Sequence, residues 1–262
     1  MKKTRIHPTA IIDPKAEIDS SCEIGPYCIV GPKVKMGPGN RLLSHVVIEN
    51  RTTLGSNNIV YPFATLGADP ADLKYKGEDT ELIIGDDNKI RESVSLHIGT
   101  EFGGGYTRIG NGNLIMAYVH FGHDCIVGNH TIIANSCQIA GHVTIEDHAS
   151  IGGLTGVSQF VRIGAYAYIG GCSGVSKDVV PFCIGLGPVN AFEVKGINIV
   201  GLKRRGFASE SITALMEAHK IFFRENWEKI VALQKIEEKY SLVPEVRAFI
   251  DFIKNSQSGV SR

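Results

Sequence analysis

Every sixth residue over most of this chain is apolar. The series begins Ile6, Ile12, Ile18, Ile24, Val30, Met36, Leu42, Ile48, Leu54, Val60 and Leu66. It resumes after an interruption at Ile84, Ile90 and Leu96. After a second interruption it runs from Ile109 to Val175 without an exception. That gives 26 apolar positions in a chain that is 43% hydrophobic. Chance alone would produce such a run on the order of 10⁻¹⁰. Gly follows the repeat residue in 12 of the 26 cases, and small residues such as Ala10, Ala16, Cys22 and Ala149 favour the position two before it.

A period of six is neither the 3.6 of a helix nor the 2 of a bare strand. It fits a short strand followed by a tight corner. Three such units close a triangular coil of 18 residues, and stacked coils bury a continuous aliphatic column. The recurrent Gly is expected to relieve the corner, where φ is often positive. The pattern resembles the hexapeptide-repeat proteins, which form left-handed parallel β-helices. The handedness is taken from that resemblance, since the usual crossover rule favours the opposite hand. About nine coils at ~4.8 Å each would make a prism about 40 Å tall.

The expected organisation is mainly β, with a left-handed parallel β-helix over 1–186. Loop insertions interrupt it at 68–81 and 102–107. A basic connecting segment at 187–207 ends in Lys203, Arg204 and Arg205. A small C-terminal α-helical domain follows at 208–262. Within it SESITALMEAHKIFF places Ile212, Leu215, Met216, His219 and Phe222/Phe223 on one side, with Ser209 as N-cap. NWEKIVALQKIEEKY and PEVRAFIDFIKN read as two further helices.

Lys plus Arg and Asp plus Glu both total 27, so no global field points to nucleic acid. The sign is uneven: residues 1–186 carry −3 and the remainder +3. No apolar run is long enough to cross a membrane, and the start has no apolar core of a secretory signal. The six cysteines lack disulfide or zinc spacing; Cys22, Cys28, Cys125 and Cys137 share one repeat phase, as small buried residues would. A reducing, cytoplasmic setting is expected.

An 18-residue coil converts sequence distance into geometry. His123, Gly141 and Gln159 share one edge, with His142 one residue along and one coil away. HFGHDC, His120–Cys125, puts His123 beside Asp124. This suits acyl transfer to a hydroxyl. An imidazole serves as base, a carboxylate orients it, and the backbone N–H of a residue without a side chain faces the oxyanion. His7, His45, His130 and His148 read as ordinary surface or core histidines. A metal reading would use His120, His123 and His142, as in the three-His zinc site of the gamma-class carbonic anhydrases. It needs three converging imidazoles, and His120 should point off a flat face instead.

Several segments are more specific than the repeat. They include DLKYKGE at 72–78, IGDDNKIRESVSLHIGT at 84–100, HFGHDCIVGN at 120–129, IGGLTGVSQF at 151–160, GGCSGV at 170–175 and GLKRRGF at 201–207. In these the chain resembles the acyl-carrier-protein–UDP-N-acetylglucosamine O-acyltransferases, which open lipid A synthesis, over nearly its full length. The resemblance implies a homotrimer with active sites in the clefts between prisms, and transfer of a 3-hydroxyacyl chain from acyl carrier protein to the sugar 3-position. It implies His123 as base, Asp124 as its orienting group and Gly141 as oxyanion donor. Asp72, Lys74, His120, His142 and Gln159 would contact acyl chain or sugar. Gly171 would leave room for the acyl chain, and Asn198, Arg204 and Arg205 would hold nucleotide and phosphates. No metal, cofactor, nucleic acid or membrane insertion is implied.

Ser158 stands where the family has His, and Val200 where an acidic residue is common. These departures leave a 3-amino UDP-sugar open as the acceptor. Two further readings are another hexapeptide acyltransferase and, outside enzymes, a structural β-helix subunit. The absence of repeats before Ile6 disfavours the related N-acyltransferase, which has an extra N-terminal domain.

Overall fold

The computed structural model describes residues 5–261; residues 1–4 and 262, at the two ends of the expected domains, lie outside the described residues. Each hexapeptide contributes a strand that is usually two residues long, such as Glu23–Ile24, Ile29–Val30 and Lys35–Met36. The strands stack into three sheets of 11, 9 and 8 strands. All pairings within the coils are parallel and step by one coil: Glu23 lies opposite Arg41, His120 opposite Gln138, and Gln138 opposite Gly156. The fold is a left-handed parallel β-helix of triangular section. The register steps from Ile59 to Lys89 across the first insertion and from Lys89 to Leu114 across the second, so both loops leave the prism without breaking its stack.

The repeat residues form the core. From Ile24 to Val175 every one is buried, while Ile6 is 47% exposed, its strand being paired among the described residues only with the coil above. Cys22, Cys125 and Cys137 are buried beside them, each S–H donating to a backbone carbonyl at 3.2 Å. A ladder of buried amides, Asn40, Asn58, Asn88 and Asn113, climbs inside one corner. Each Oδ1 accepts the backbone N–H of the next coil's ladder residue, closing the corner with bonds the strands cannot supply.

The corners correct one expectation. Of the 12 glycines that follow a repeat residue, only Gly67 has positive φ. The left-handed residue comes three after the repeat residue and is usually not Gly: Tyr27, His45, Asp124, His142, Phe160 and Tyr166 all have φ between 55° and 65°. Gly follows the repeat residue for space. A Cβ on Gly25 would stand 1.6 Å from the Leu43 carbonyl oxygen of the next coil.

After the last coil, Cys183–Leu186 pairs parallel with Tyr168–Ile169 and antiparallel with Glu193–Ile197. That second strand lies in the segment read as a connection, as does the short helix α1, Ile199–Arg204. Helices α2 (Ser209–Phe223), α3 (Lys229–Tyr240) and α4 (Pro244–Lys254) follow. Their buried faces (Leu215, Phe222, Ile236, Phe249) share one apolar cluster with Val180, Phe182 and Val194 of the prism end. Two details differ from expectation. Ala208 occupies the N-cap position, and Met216 is exposed, because the packed face centres on Ile212, Leu215, His219 and Phe222.

The close approach of coils makes a direct prediction. Gly25→Ala should destabilise the protein by roughly 1–3 kcal/mol or more, since backbone must move to admit the methyl. Gly156→Ala, with nothing within 4 Å of the added Cβ, should be neutral or stabilising by up to about 1 kcal/mol. Chemical denaturation of both variants checks this; equal effects would contradict the packing account.

Candidate active site

One edge of the prism carries Asp124, His142 and Phe160, each at the left-handed corner position, with φ of 62°, 61° and 65°. The corner geometry throws the preceding residue, His123, against Asp124. His123 Nδ1 lies 2.6 Å from Asp124 Oδ2. Residue exposures of 6% for His123 and 4% for Asp124 put the pair out of bulk water, where a charge-assisted hydrogen bond is strengthened. With Asp124 ionised, Nδ1 carries the proton and Nε2 is the free base. The His123 ring lies over Gly141 of the next coil: a Cβ there would be 2.9 Å from His123 Nε2. Gly at 141 is therefore what allows the imidazole its position.

Asp124 is held from three further sides. Thr100 donates its backbone N–H to Oδ1 at 2.7 Å and its hydroxyl to Oδ2 at 2.7 Å. The Asp124 backbone N–H donates to Thr107 Oγ1 at 2.8 Å. Thr100 and Thr107 flank the second insertion, whose 3-10 turn Glu101–Gly103 presses onto the carboxylate; a Cβ on Gly103 would fall 1.9 Å from Asp124 Cγ. Sequence reading missed both threonines. Thr100 ends the segment at 84–100 and Thr107 precedes Ile109 by two, but neither position by itself points to Asp124.

His142 completes the edge, with Nε2 3.6 Å from Asp124 Oδ2 and its ring stacked on Phe160 at 4.5 Å between centroids. Burial holds its pKa below the ordinary value; the Asp124 carboxylate opposes this, and Asp72 in the large loop adds to that opposition. Asp72 thus stands within electrostatic reach of the site, its Oδ1 accepting the Lys74 backbone N–H at 2.9 Å, while the Lys74 side chain is exposed. Gln159 is exposed one coil above Gly141.

His120 does not join this cluster directly. Its Nδ1 lies 2.8 Å from Ser95 Oγ, and its ring meets His97 edge-on at 4.7 Å. Burial, reinforced by His120 and His123, pushes the His97 pKa down to about 4. His97, which the sequence reading did not single out, also accepts the Ala71 backbone N–H at 3.3 Å and so ties the large loop to the prism. Among the described residues, the His/carboxylate group whose ligand atoms converge is His123, Asp124 and His142, not the three histidines weighed for zinc. Both Asp124 oxygens in that group already accept hydrogen bonds. His120 also lines a cleft of about 450 Å³ together with Gln138, Gly156 and Ser158, the position at which His was expected.

The remaining expected residues lie on the other two edges. Asn198, Val200, Arg204 and Arg205 line a pocket of about 710 Å³ with His148, Ser150 and Tyr168. Arg205 lies 2.8 Å from His148 Nδ1, which gives His148 a partner the sequence did not suggest. Asn198 is engaged within the chain: its Oδ1 accepts the Gly201 N–H that starts α1, and its Nδ2 donates to the Tyr166 carbonyl. Gly171 is exposed on the third edge, beside the corner residue Cys172. Within one chain, then, His123, Arg205 and Gly171 lie on three different corners and cannot meet.

Two family models match. One, described as UDP N-acetylglucosamine O-acyltransferase, domain 2, covers residues 178–261, and the bacterial transferase hexapeptide model covers residues 106–141. Among solved structures, LpxA from Acinetobacter baumannii is 45% identical over 98% of this chain and 99% of its own, with a TM-score of 0.95. LpxA from Bacteroides fragilis, a UDP-N-acetylglucosamine acyltransferase, is 38% identical over 98% and 100%, with a TM-score of 0.96. The UDP-N-acetylglucosamine O-acyltransferase of Moraxella catarrhalis is 44% identical over 98% and 99%, with a TM-score of 0.94. Identity at this level along essentially the whole of both chains is decisive: the chain belongs to the UDP-N-acetylglucosamine O-acyltransferase family.

Proposed function

We propose that the protein transfers a 3-hydroxyacyl chain from acyl carrier protein to the 3-position of UDP-N-acetylglucosamine, the first step of lipid A biosynthesis, with His123 as general base. The observation that carries this is the buried His123–Asp124 pair, 2.6 Å apart, at a corner where Gly141 leaves room for the imidazole. His123 Nε2 takes the proton of the sugar hydroxyl as its oxygen attacks the thioester carbonyl. Asp124 stabilises the imidazolium that forms, and the Gly141 N–H faces the developing oxyanion. The thiol of the carrier leaves as His123 returns the proton. Asp72, Lys74, His142 and Gln159 are assigned to binding of acyl chain or sugar, supported by the place of His142 and Gln159 on this edge and by the electrostatic reach of Asp72 to His142.

The acting form is a homotrimer. This is supported by the separation of His123, Gly171 and the Arg204–Arg205 pocket onto three corners of one prism, which a closed C3 assembly can juxtapose. The Arg204 and Arg205 guanidiniums suit diphosphate, which accepts their paired donors. A 3-amino sugar is the second reading for the acceptor, favoured by one observation: Ser158 lines the cleft beside His120 in place of an imidazole. The protein acts in the cytoplasm, a setting supported by its six free cysteines. No helix among the described residues is long and apolar enough to cross a membrane.

His123→Ala should lower kcat by about 10²–10⁴, while His130→Ala, on another corner, should change it little. Steady-state acyl transfer from 3-hydroxyacyl carrier protein to UDP-N-acetylglucosamine measures both; equal small effects would reject His123 as base. Light scattering should give a particle of three 28.4 kDa chains, and a stable monomer at micromolar concentration would reject the shared cleft.

The acidic carrier is proposed to dock on the helical domain, where Lys220, Arg224 and Lys229 are exposed. Arg162, on the prism, is instead paired with Glu146 at 2.9 Å and stacked on Phe252. Reversing the charges of Lys220 and Lys229 should raise KM for the carrier several-fold and weaken its salt dependence, with kcat and KM for the UDP-sugar nearly unchanged. An unaltered carrier KM would place docking elsewhere.

A further inference from the structure

The second insertion does more than leave the prism. Its first residue before the 3-10 turn, Thr100, is 4% exposed and makes two hydrogen bonds to one carboxylate. A hydroxyl has one proton to give. Here Thr100 Oγ1 also accepts the Gly103 N–H at 3.1 Å, which leaves that proton for Asp124 Oδ2. On the far side of the loop, Thr107 is fully buried and fixes the Asp124 backbone N–H. Asp124 sits at φ 62°, a region that costs a non-Gly residue energy unless its surroundings determine it. Asp124 shares that left-handed φ with His142 and Phe160, so the corner sets its backbone; Thr107 holds its N–H, and Thr100 fixes its side chain.

We propose that Thr100 is a positioning residue for acyl transfer: its N–H and hydroxyl lock the Asp124 carboxylate in the rotamer that receives His123 Nδ1–H, and so fix the tautomer and aim of the His123 imidazole. This rests on the assignment of His123 as the base. Oδ1 is bound by the Thr100 N–H, and Oδ2 is shared between the Thr100 hydroxyl and His123. The carboxylate can rotate only by breaking the Thr100 bonds, and His142, 3.6 Å from Oδ2, is the neighbour that would then compete for it. The same hydroxyl draws charge from Oδ2. Its removal leaves a carboxylate that favours the protonated imidazole more strongly.

The test compares Thr100→Val, Thr100→Ser and His123→Ala by the pH dependence of kcat/KM and by melting temperature. Thr100→Val should lower kcat by roughly 10- to 100-fold, the scale seen when the outer hydrogen-bond partner of a metal-ligating imidazole is removed. KM for the UDP-sugar should change little. The acid limb of the profile should move to higher pH, because a carboxylate without the hydroxyl bond holds the protonated imidazole more strongly. Thr100→Ser keeps the hydroxyl and should restore both readouts to near wild type. Wild-type kcat and profile in Thr100→Val would overturn the proposal. So would a loss of kcat with an unmoved acid limb, or the same loss in the Ser variant, either of which indicates a purely structural role. If Thr100→Val does not fold, Thr100→Ala carries the test without added bulk, and failure of both to fold would assign Thr100 to stability alone. Full activity in His123→Ala would reject the base itself, an outcome distinguishable from failure at Thr100.

Discussion

Parallel hydrogen bonding between successive coils is the constraint on which the rest of the molecule depends. Each coil donates to the one above it at the same point of its circuit, so residues one coil apart must stack. The aliphatic column from Ile24 to Val175 enforces that register, because a slip of one residue would turn the repeat side chains out of the core. Once the register is fixed, distance along the chain becomes position on a prism. His123, Gly141 and Gln159 are brought to one corner by arithmetic, not by any local preference of their own.

The corners are where this regularity becomes chemistry. The backbone turns through a left-handed residue at most of them, regularly from Asp87 on to Cys172, and that residue's side chain projects from the prism edge. Along two edges those side chains stack into ladders, Tyr27–His45–Phe63 and His130–His148–Tyr166. At the third edge the same position holds Asp124, and the insertion folds back over it. A carboxylate there is covered, hydrogen-bonded on both oxygens and still in contact with His123. The scaffold supplies stiffness, and the interruption of the scaffold supplies the closed environment.

The column, the stacking of His123 under Gly141, and the helical C-terminal segment were all legible in the sequence, because each follows from a period. What was not legible came from non-periodic contacts. Thr100 lies where the chain leaves the repeat and Thr107 where it re-enters it, two before Ile109; the irregular length between them hid that both meet Asp124. The strand Glu193–Ile197 alternates only over Glu193–Lys195 before Gly196 breaks the pattern, too short a signal to read as a strand, and it pairs with Cys183–Leu186. The role of Gly25 was misread as conformational because sequence does not show how closely the next coil approaches. Met216 fell outside the buried face because the neighbouring helices, not the helix itself, decide where that face ends.

The central claim is that the acyl-transfer site is assembled from more than one chain, with His123 supplied by one prism and the Arg204–Arg205 pocket by its neighbour. Mixed trimers of His123→Ala and Arg205→Ala chains test it most directly. Each variant alone should be nearly inactive in acyl transfer. Co-expressed in equal amounts, a random assortment of chains leaves roughly one cleft in four with both residues intact, and the mixture should recover about a quarter of wild-type activity. A mixture no more active than the two homotrimers would show that each chain carries its own complete site, and would contradict the account.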